Sequence, residues 1–284
     1  MTSPHGVPRL AQIFLHPIKA LDPVSVTEAR IGPSGGLDLD RAWALYSADG
    51  RWVNGKRTAA MHLIRAGYSS DVSRVTLTVP DDRRNIPAMT FAFPGDREGA
   101  AEWFSMYFEQ AIHVRYAREG FPDDDLASGP TIISTASLEA VCRWFPGMTL
   151  EEARRRFRST LEIDAAPSFA KESDGSTSVP EKLPAFWEDQ LFAESERSVV
   201  RFKIGEVAFE GSNPCARCPV PSRDSQTGIA ENGFQKCFTD FRRANLPAWA
   251  PADRFDHVYR LATNTRVPST ECGKLLRVGD SLVL

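Results

Sequence analysis

The chain has 284 residues, enough at the usual ~100–200 residues per domain for one large or two modest domains with a buried core. Apolar residues make up 42% and charged ones 25%, and a formal charge of −3 supplies no electrostatic reason to bind nucleic acid or an anionic membrane, so neither is expected as a partner. Five cysteines with one close pair do not make a secreted disulfide framework, and the early apolar stretch at 10–15, interrupted by Gln12 and closed by His16-Pro17, is too short for a secretory or membrane-spanning segment; a cytoplasmic location with free thiols is expected.

Strand-like runs come first, at residues 10–15, 24–31 and 42–47, the last leading through Asp49-Gly50 to 51–53. Residues 63–69, 75–79 and 90–93 continue the pattern between turn-rich stretches at 80–82 and 94–96. Strands at this spacing predict closed β architecture, a meander or small barrel. Helix signals follow: residues 98–109 set Trp103, Phe104, Tyr107 and Phe108 on one face, and residues 137–145 set Leu138, Val141, Cys142 and Phe145 at i, i+3, i+4 and i+7, which makes Cys142 a core residue. Thr149 with Glu152 is a capping-box signal for a short helix to about residue 157, whose Arg154-Arg155-Arg156 run reads as a solvated face. Residues 168–180 read as an exposed loop or mobile insertion. Strand character resumes at 199–204 and 207–209, and Val278-Gly279-Asp280 marks a turn before a last strand. A boundary near residue 120 would divide the chain into 1–120 and 121–284. There is no repeat period and no phosphate-binding glycine signature to support phosphoryl transfer or a Rossmann site.

The chemistry concentrates at residues 213–228, NPCARCPVPSRDSQTG, where Cys215 and Cys218 flank Ala216-Arg217. Four readings compete. A zinc site needs two more ligands, recruited from single residues such as Cys237, Cys272 or His257. A redox pair wants a helix start after the cysteines, where Pro219 and Pro221 stand. Two packed thiols in a turn form a purely structural alternative. The fourth reading is a single thiolate ligand to a soft metal, with Arg217 beside Cys218 favouring the charged form.

The order Ile204-Gly205-Glu206-Val207, Pro214-Cys215-Ala216-Arg217-Cys218, Asp224 and Thr227-Gly228 resembles the MOSC domain shared by molybdenum cofactor sulfurases and mitochondrial amidoxime-reducing components. His16-Pro17-Ile18-Lys19, Leu39-Asp40-Arg41-Ala42-Trp43, Ser134-Thr135-Ala136-Ser137-Leu138, Phe157-Arg158, Glu188-Asp189 and Val278-Gly279-Asp280 resemble further family elements in the expected order. The resemblance implies a mainly β fold with some α, an α+β arrangement: an N-terminal β-barrel domain over 1–120, then a MOSC-type β-barrel domain with peripheral helices over 121–284. It implies a molybdenum cofactor, a molybdopterin carrying the metal, with Cys218 as metal ligand and Lys19, Arg41 and Arg158 holding its phosphate and pterin. Ser128 matches a hydroxyl position that would donate to the same phosphate. Arg and Lys suit this task, one by planar bidentate hydrogen bonding and the other as a point charge.

The pattern departs at Arg158-Ser159-Thr160, where the family commonly has Arg-Pro-Asn, so that Thr160 offers a hydroxyl in place of an amide. Ala216 stands at a position often Ser, and Pro221-Ser222 replaces a Thr-Thr pair. The expected function is a molybdenum-dependent oxidoreductase that reduces N-hydroxylated or other N-oxygenated small molecules, with electrons from a separate donor protein. In it Cys218 and Arg217 serve the metal centre, and Asp224 delivers a proton, positions a substrate amine, or caps a turn. The alternatives are a carrier of the cofactor or of sulfur on Cys218, without turnover, and a zinc-stabilised interaction protein.

Overall fold

The computed structural model of the chain describes residues 7–80, 85–123, 127–165 and 182–284. The expected loop at 168–180, and Asp81 and Asp82 of the expected turn, lie outside the described residues. In chain order the elements begin with β1 (Pro8–Leu15), β2 (Val24–Val26), β3 (Glu28–Arg30), β4 (Trp43–Ser47), β5 (Trp52–Val53), β6 (Arg65–Tyr68), β7 (Arg74–Thr78), β8 (Met89–Ala92), α1 (Arg97–Phe108) and β9 (Ile112–Tyr116). There follow β10 (Ile132–Ser134), α2 (Thr135–Trp144), α3 (Leu150–Phe157), β11 (Leu161–Ala165), β12 (Val200–Ile204), β13 (Val207–Ala216), α4 (Phe234–Ala244), β14 (Arg260–Arg266), β15 (Leu275–Arg277) and β16 (Leu282–Val283).

The fold is mixed, 31% strand and 24% helix. Eight strands form one sheet in the order β16-β12-β13-β14-β10-β11-β1-β2, antiparallel except for β10 beside β11. Three smaller groups flank it: β5-β4-β9, β6-β7-β8 and the pair β15-β3. The expected closed barrels are not seen among the described residues. The large sheet curls until the residues just before β16 meet β1, through the bridge Arg9 to Ser281 and the bonds Leu10 N to Asp280 O and Gly279 N to Leu10 O at 2.9 and 2.8 Å, but the two residues of β16 are too few for a ladder that completes closure.

Sheet pairing does not divide at residue 120. β1 pairs with β11, and β3 with β15. The single run expected at 24–31 therefore breaks at Thr27, as the chain leaves one sheet for another. A single core runs through both halves, with Leu10, Ile13, Trp43, Trp103 and Phe104 packed in one cluster with Ile132, Ile163 and Phe209. A second core, under α2, α3 and α4, holds Leu138, Val141, Phe157, Phe234 and Phe238, with Cys142 half-buried against it.

The capping signal at α3 is half realised. Thr149 accepts from the Glu152 amide at 3.1 Å, while the Glu152 carboxylate turns to Arg156 at 2.6 Å. The reading of Arg154-Arg155-Arg156 as a solvated face is corrected. At about 100° per residue three successive side chains leave a helix in three directions; Arg155 stands 3.8 Å from exposed Glu151, and the other two meet acids more closely. Arg154 makes two 2.8 Å bonds to buried Glu162, and Arg156, 8% exposed, also reaches Glu231 at 2.9 Å. β9, β10, β11, β14 and α4 had no strong sequence signal. In α4 the buried stripe is Phe234, Phe238 and Arg242, and the arginine, sealed against Asp189 and the Phe186 ring, hides the apolar period.

Candidate functional site

A cavity of about 620 Å³ opens between the two halves of the chain. Its N-terminal wall includes Lys19, Asp22, Arg41, Lys56, His62 and Arg65; its C-terminal wall includes Ser128, Thr131, Arg155, Arg156, Arg158, Asn213, Cys215, Arg217, Cys218 and Asn264. Eight basic side chains (Lys19, Arg41, Lys56, Arg65, Arg155, Arg156, Arg158 and Arg217) face two acids, Asp22 and Asp123, an excess of six positive charges on a chain whose formal charge is −3. Such a wall concentrates anions.

Local backbone geometry presents two of these cations. Arg41 and Arg158 both have left-handed φ, 51° and 52°, which costs a non-glycine residue on the order of 1 kcal/mol or more. Arg158 is the C-cap of α3, its amide donating to Arg154 O at 2.8 Å, so the chain reverses there straight into β11. Arg41 donates its amide to His16 O at 2.9 Å and accepts from Phe121 N at 3.0 Å.

Their electrostatic surroundings differ. Arg41 pairs closely with Asp40 and lies 3.9 Å from Asp123; burial opposes its charge, but the two acids outweigh it and raise its pKa. Lys19 stands 3.1 Å from Asp123, donates to Phe121 O and Pro122 O at 2.9 and 3.2 Å, and lies over the Trp52 ring; burial lowers its pKa. Arg65 pairs with Asp22 at 3.0 Å. Arg158 makes no side-chain hydrogen bond or ion pair among the described residues, and burial, then the Arg41 charge, push it down to about 10. Behind it His16, 1% exposed, is pushed down to about 4 by burial and then by Arg158.

The cysteine segment is the end of β13 and the turn after it. The strand runs on through Pro214 and Cys215 to Ala216, beyond the expected 207–209, and Arg217 N then donates to Tyr259 O at 3.0 Å. Both thiols line the cavity. The Arg217 guanidinium turns to Cys215 Sγ at 3.2 Å and to Phe157 O, not to Cys218 as expected, because the Phe157 carbonyl at the end of α3 captures its other nitrogen. The loop beyond is held against the N-terminal half by Arg65 on Ser225 O at 3.2 Å and by Gly228, whose φ of 69° and close approach to Ala59 O leave no room for a Cβ.

Of the residues expected at a site, Lys19, Arg41, Ser128, Arg158, Arg217 and Cys218 are brought to one cavity. Ser128 donates to Ser34 O at 2.6 Å. Two are not on its wall. Thr160 is buried behind it, its hydroxyl unpartnered and its amide donating to the hydroxyl of Thr131, which does line the cavity. Asp224 caps a turn, accepting from the amides of Gln226 and Thr227 at 3.0 and 2.8 Å and from the Thr227 hydroxyl. Those bonds use one carboxylate oxygen; the other stands 3.8 Å from Arg156, which does line the cavity. Asn213 and Asn264, opposed across the β13–β14 ladder, went unnoticed because β14 itself carried no clear strand signal. Asp123, Arg65 and Lys56 come from separate segments without a motif.

Residues 7–111 match the family model described as the MOSC N-terminal beta barrel domain. The MOSC family is associated with molybdenum cofactor-binding proteins. No curated protein matches the chain. Among the described residues no group of three or more His, Cys, Asp or Glu side chains could hold a metal ion, so Cys215 and Cys218 have no partners for a four-ligand zinc site. Nor is any described helix long and apolar enough to cross a membrane.

Proposed function

We propose that the cavity binds a molybdenum cofactor, with the Cys218 thiolate as the protein's ligand to the metal, and that the chain is an oxidoreductase acting on N-hydroxylated or other N-oxygenated small molecules. One observation carries this reading: Arg158, with no carboxylate partner among the described residues, on the wall of a strongly basic cavity that also presents a thiol. A guanidinium withdrawn from water and left unpaired is costly, and a phosphate-bearing pterin supplies the missing anion. The residues present fit such a group. Arg158, Lys19 and Arg41 bind the phosphate, the carboxamides of Asn213 and Asn264 offer donors and acceptors to a heterocycle, and Cys218 offers soft sulfur.

When bound, the cofactor supplies the two-electron oxygen-transfer chemistry. The chain's residues bind and orient. Asp40 holds the Arg41 fork, the left-handed turn at Arg158 aims its guanidinium, and Arg217 ties the cysteine segment to the end of α3. Electrons would come from a separate donor protein. Five free cysteines fit a reducing compartment, the cytoplasm.

The test is metal and pterin analysis of the wild type and of Cys218→Ala, both produced in a host that makes the cofactor. Near-stoichiometric molybdenum in the wild type, depleted in a variant that melts at the same temperature, is the expected result. Zinc or no pterin in the wild type, or undiminished molybdenum in the variant, would sink the assignment. Reduction of an N-hydroxylated substrate by loaded wild type with an artificial electron donor, and none by the variant, tests the reaction itself.

A further inference from the structure

We propose that Asp123 is a tethered counter-ion, occupying the anion position between Lys19 and Arg41 until a phosphate-bearing ligand displaces it. The inference rests on the reading of the cavity as a site for such a ligand and adds a competitor built into the chain.

The geometry separates Asp123 from the other acids near the cavity. Its two oxygens address different cations, Oδ1 at 3.1 Å from Lys19 Nζ and Oδ2 at 3.9 Å from Arg41 Nε, bridging them as two oxygens of a phosphate would. Neither cation depends on it. Lys19 keeps two backbone carbonyls and the Trp52 ring, and Arg41 keeps Asp40. The Asp123 side chain is 55% exposed, against 14% for Lys19 and 19% for Arg41, so it can return to water while the cations stay in place. Asp40 has no such freedom: it is 9% exposed and also accepts from the His16 amide at 2.7 Å. The backbone just before Asp123 is pinned, since Phe121 N donates to Arg41 O and the Phe121 ring meets the edge of Trp52 at 5.7 Å. Rotation of the side chain is enough to take the carboxylate from between the two cations.

A mobile carboxylate beside two fixed cations has two effects. It lowers the positive potential of the empty cavity, and it sets a threshold that a singly charged anion of similar strength does not exceed, whereas a doubly charged phosphate does. Asp123 thus acts as a specificity-determining residue for the charge of the ligand.

The test is calorimetric titration with inorganic phosphate at fixed low ionic strength, using full-length chain from a host unable to make the cofactor. Wild type, Asp123→Asn, Asp123→Ser and Arg158→Ala are compared. Removing the carboxylate should tighten phosphate binding roughly three- to tenfold in both Asp123 variants, the size expected for a partly exposed charge pair. Binding unchanged or weakened in both, while Arg158→Ala still loses affinity, would make Asp123 a structural strut and overturn the proposal with the cavity reading intact. No phosphate binding by any of the four proteins would overturn both.

Discussion

On the N-terminal wall of the cavity Lys19, Arg41 and Arg65 each stand against a carboxylate, Asp123, Asp40 and Asp22 respectively, whereas across from them Arg158 and Arg217 have none among the described residues. Arg155 and Arg156 on that same wall are paired, with Glu151 at 3.8 Å and with Glu152 and Glu231 at 2.6 and 2.9 Å, so the contrast lies between individual cations, Arg41 and Arg158 above all. A paired buried cation is part of the fold, because removing it strands an acid. An unpaired one is held against its own desolvation by the surrounding fold and gains only when an external anion arrives. The difference separates a cation whose charge the fold already compensates, Arg41 with Asp40, from one, Arg158, whose charge gains a close anion only with a ligand; both kinds can hold that ligand.

The sharpest way to break the comparison is to delete one cation from each wall. Arg41→Met leaves Asp40 buried without its closest cation and should cost about 3 kcal/mol in urea unfolding. A loss below about 1 kcal/mol would show that the pair is not structural. Arg158→Met should leave stability unchanged or slightly raised, and weaken phosphate affinity by about thirtyfold, close to 2 kcal/mol. If it destabilises as much as Arg41→Met, the two cations do not differ in kind.

Each half also hides one titratable group, with opposite pH senses. His16 is held at about 4, below its ordinary 6.5, so the unfolded chain binds the extra proton and stability rises with pH from about 4 to 6.5. Glu188, buried and beside Asp189, is pushed up to about 7 from 4.5; there the folded chain binds the extra proton, and stability falls as pH rises from about 4.5 to 7. The two act in opposite senses in the wild type, with Asp189, also pushed up by burial, on the side of Glu188. His16→Gln should unmask a fall of about 1 to 2 kcal/mol across that window, and Glu188→Gln a rise of similar size, both read from urea midpoints against pH. Equal pH profiles in the three proteins would contradict the assignment of either group. The smallest effect belongs to Thr160→Val. The buried hydroxyl has no partner, so its removal should change stability by less than about 1 kcal/mol and leave cofactor content unaltered, whereas depleted cofactor would return Thr160 to the site.

Much of the secondary structure was legible because its signals are local. The apolar faces of α1 and α2, the Thr149 cap and the turn at Val278-Gly279-Asp280 depend on neighbours within a few residues. β14 and α4 were not legible, one a central strand without alternation and the other a helix whose inner stripe ends on Arg242. The candidate site was legible where it coincided with a motif, at Lys19, Arg41, Ser128, Arg158, Arg217 and Cys218. It was misread where a side chain had two possible partners. Arg217 lies beside Cys218 in the chain, yet its guanidinium follows Phe157 O and Cys215 Sγ. Asp224 is readable as acid or cap, and three donors within its own turn form the cap.

By itself, then, the sequence determined a β-rich chain with helices in its second half and a short list of cations around a Cys-x-x-Cys segment, since composition, periodicity and capping act over a few residues. Only the tertiary structure decided that β1 and β3 join the second half, that Arg154 and Arg156 are held in ion pairs, and that Arg158 has no acid partner among the described residues while Lys19 and Arg41 share Asp123. The physical reason is range. Whether a buried charge is compensated depends on which groups stand within about 4 Å of it, and for Lys19 and Asp123 those groups lie about a hundred residues apart in the chain.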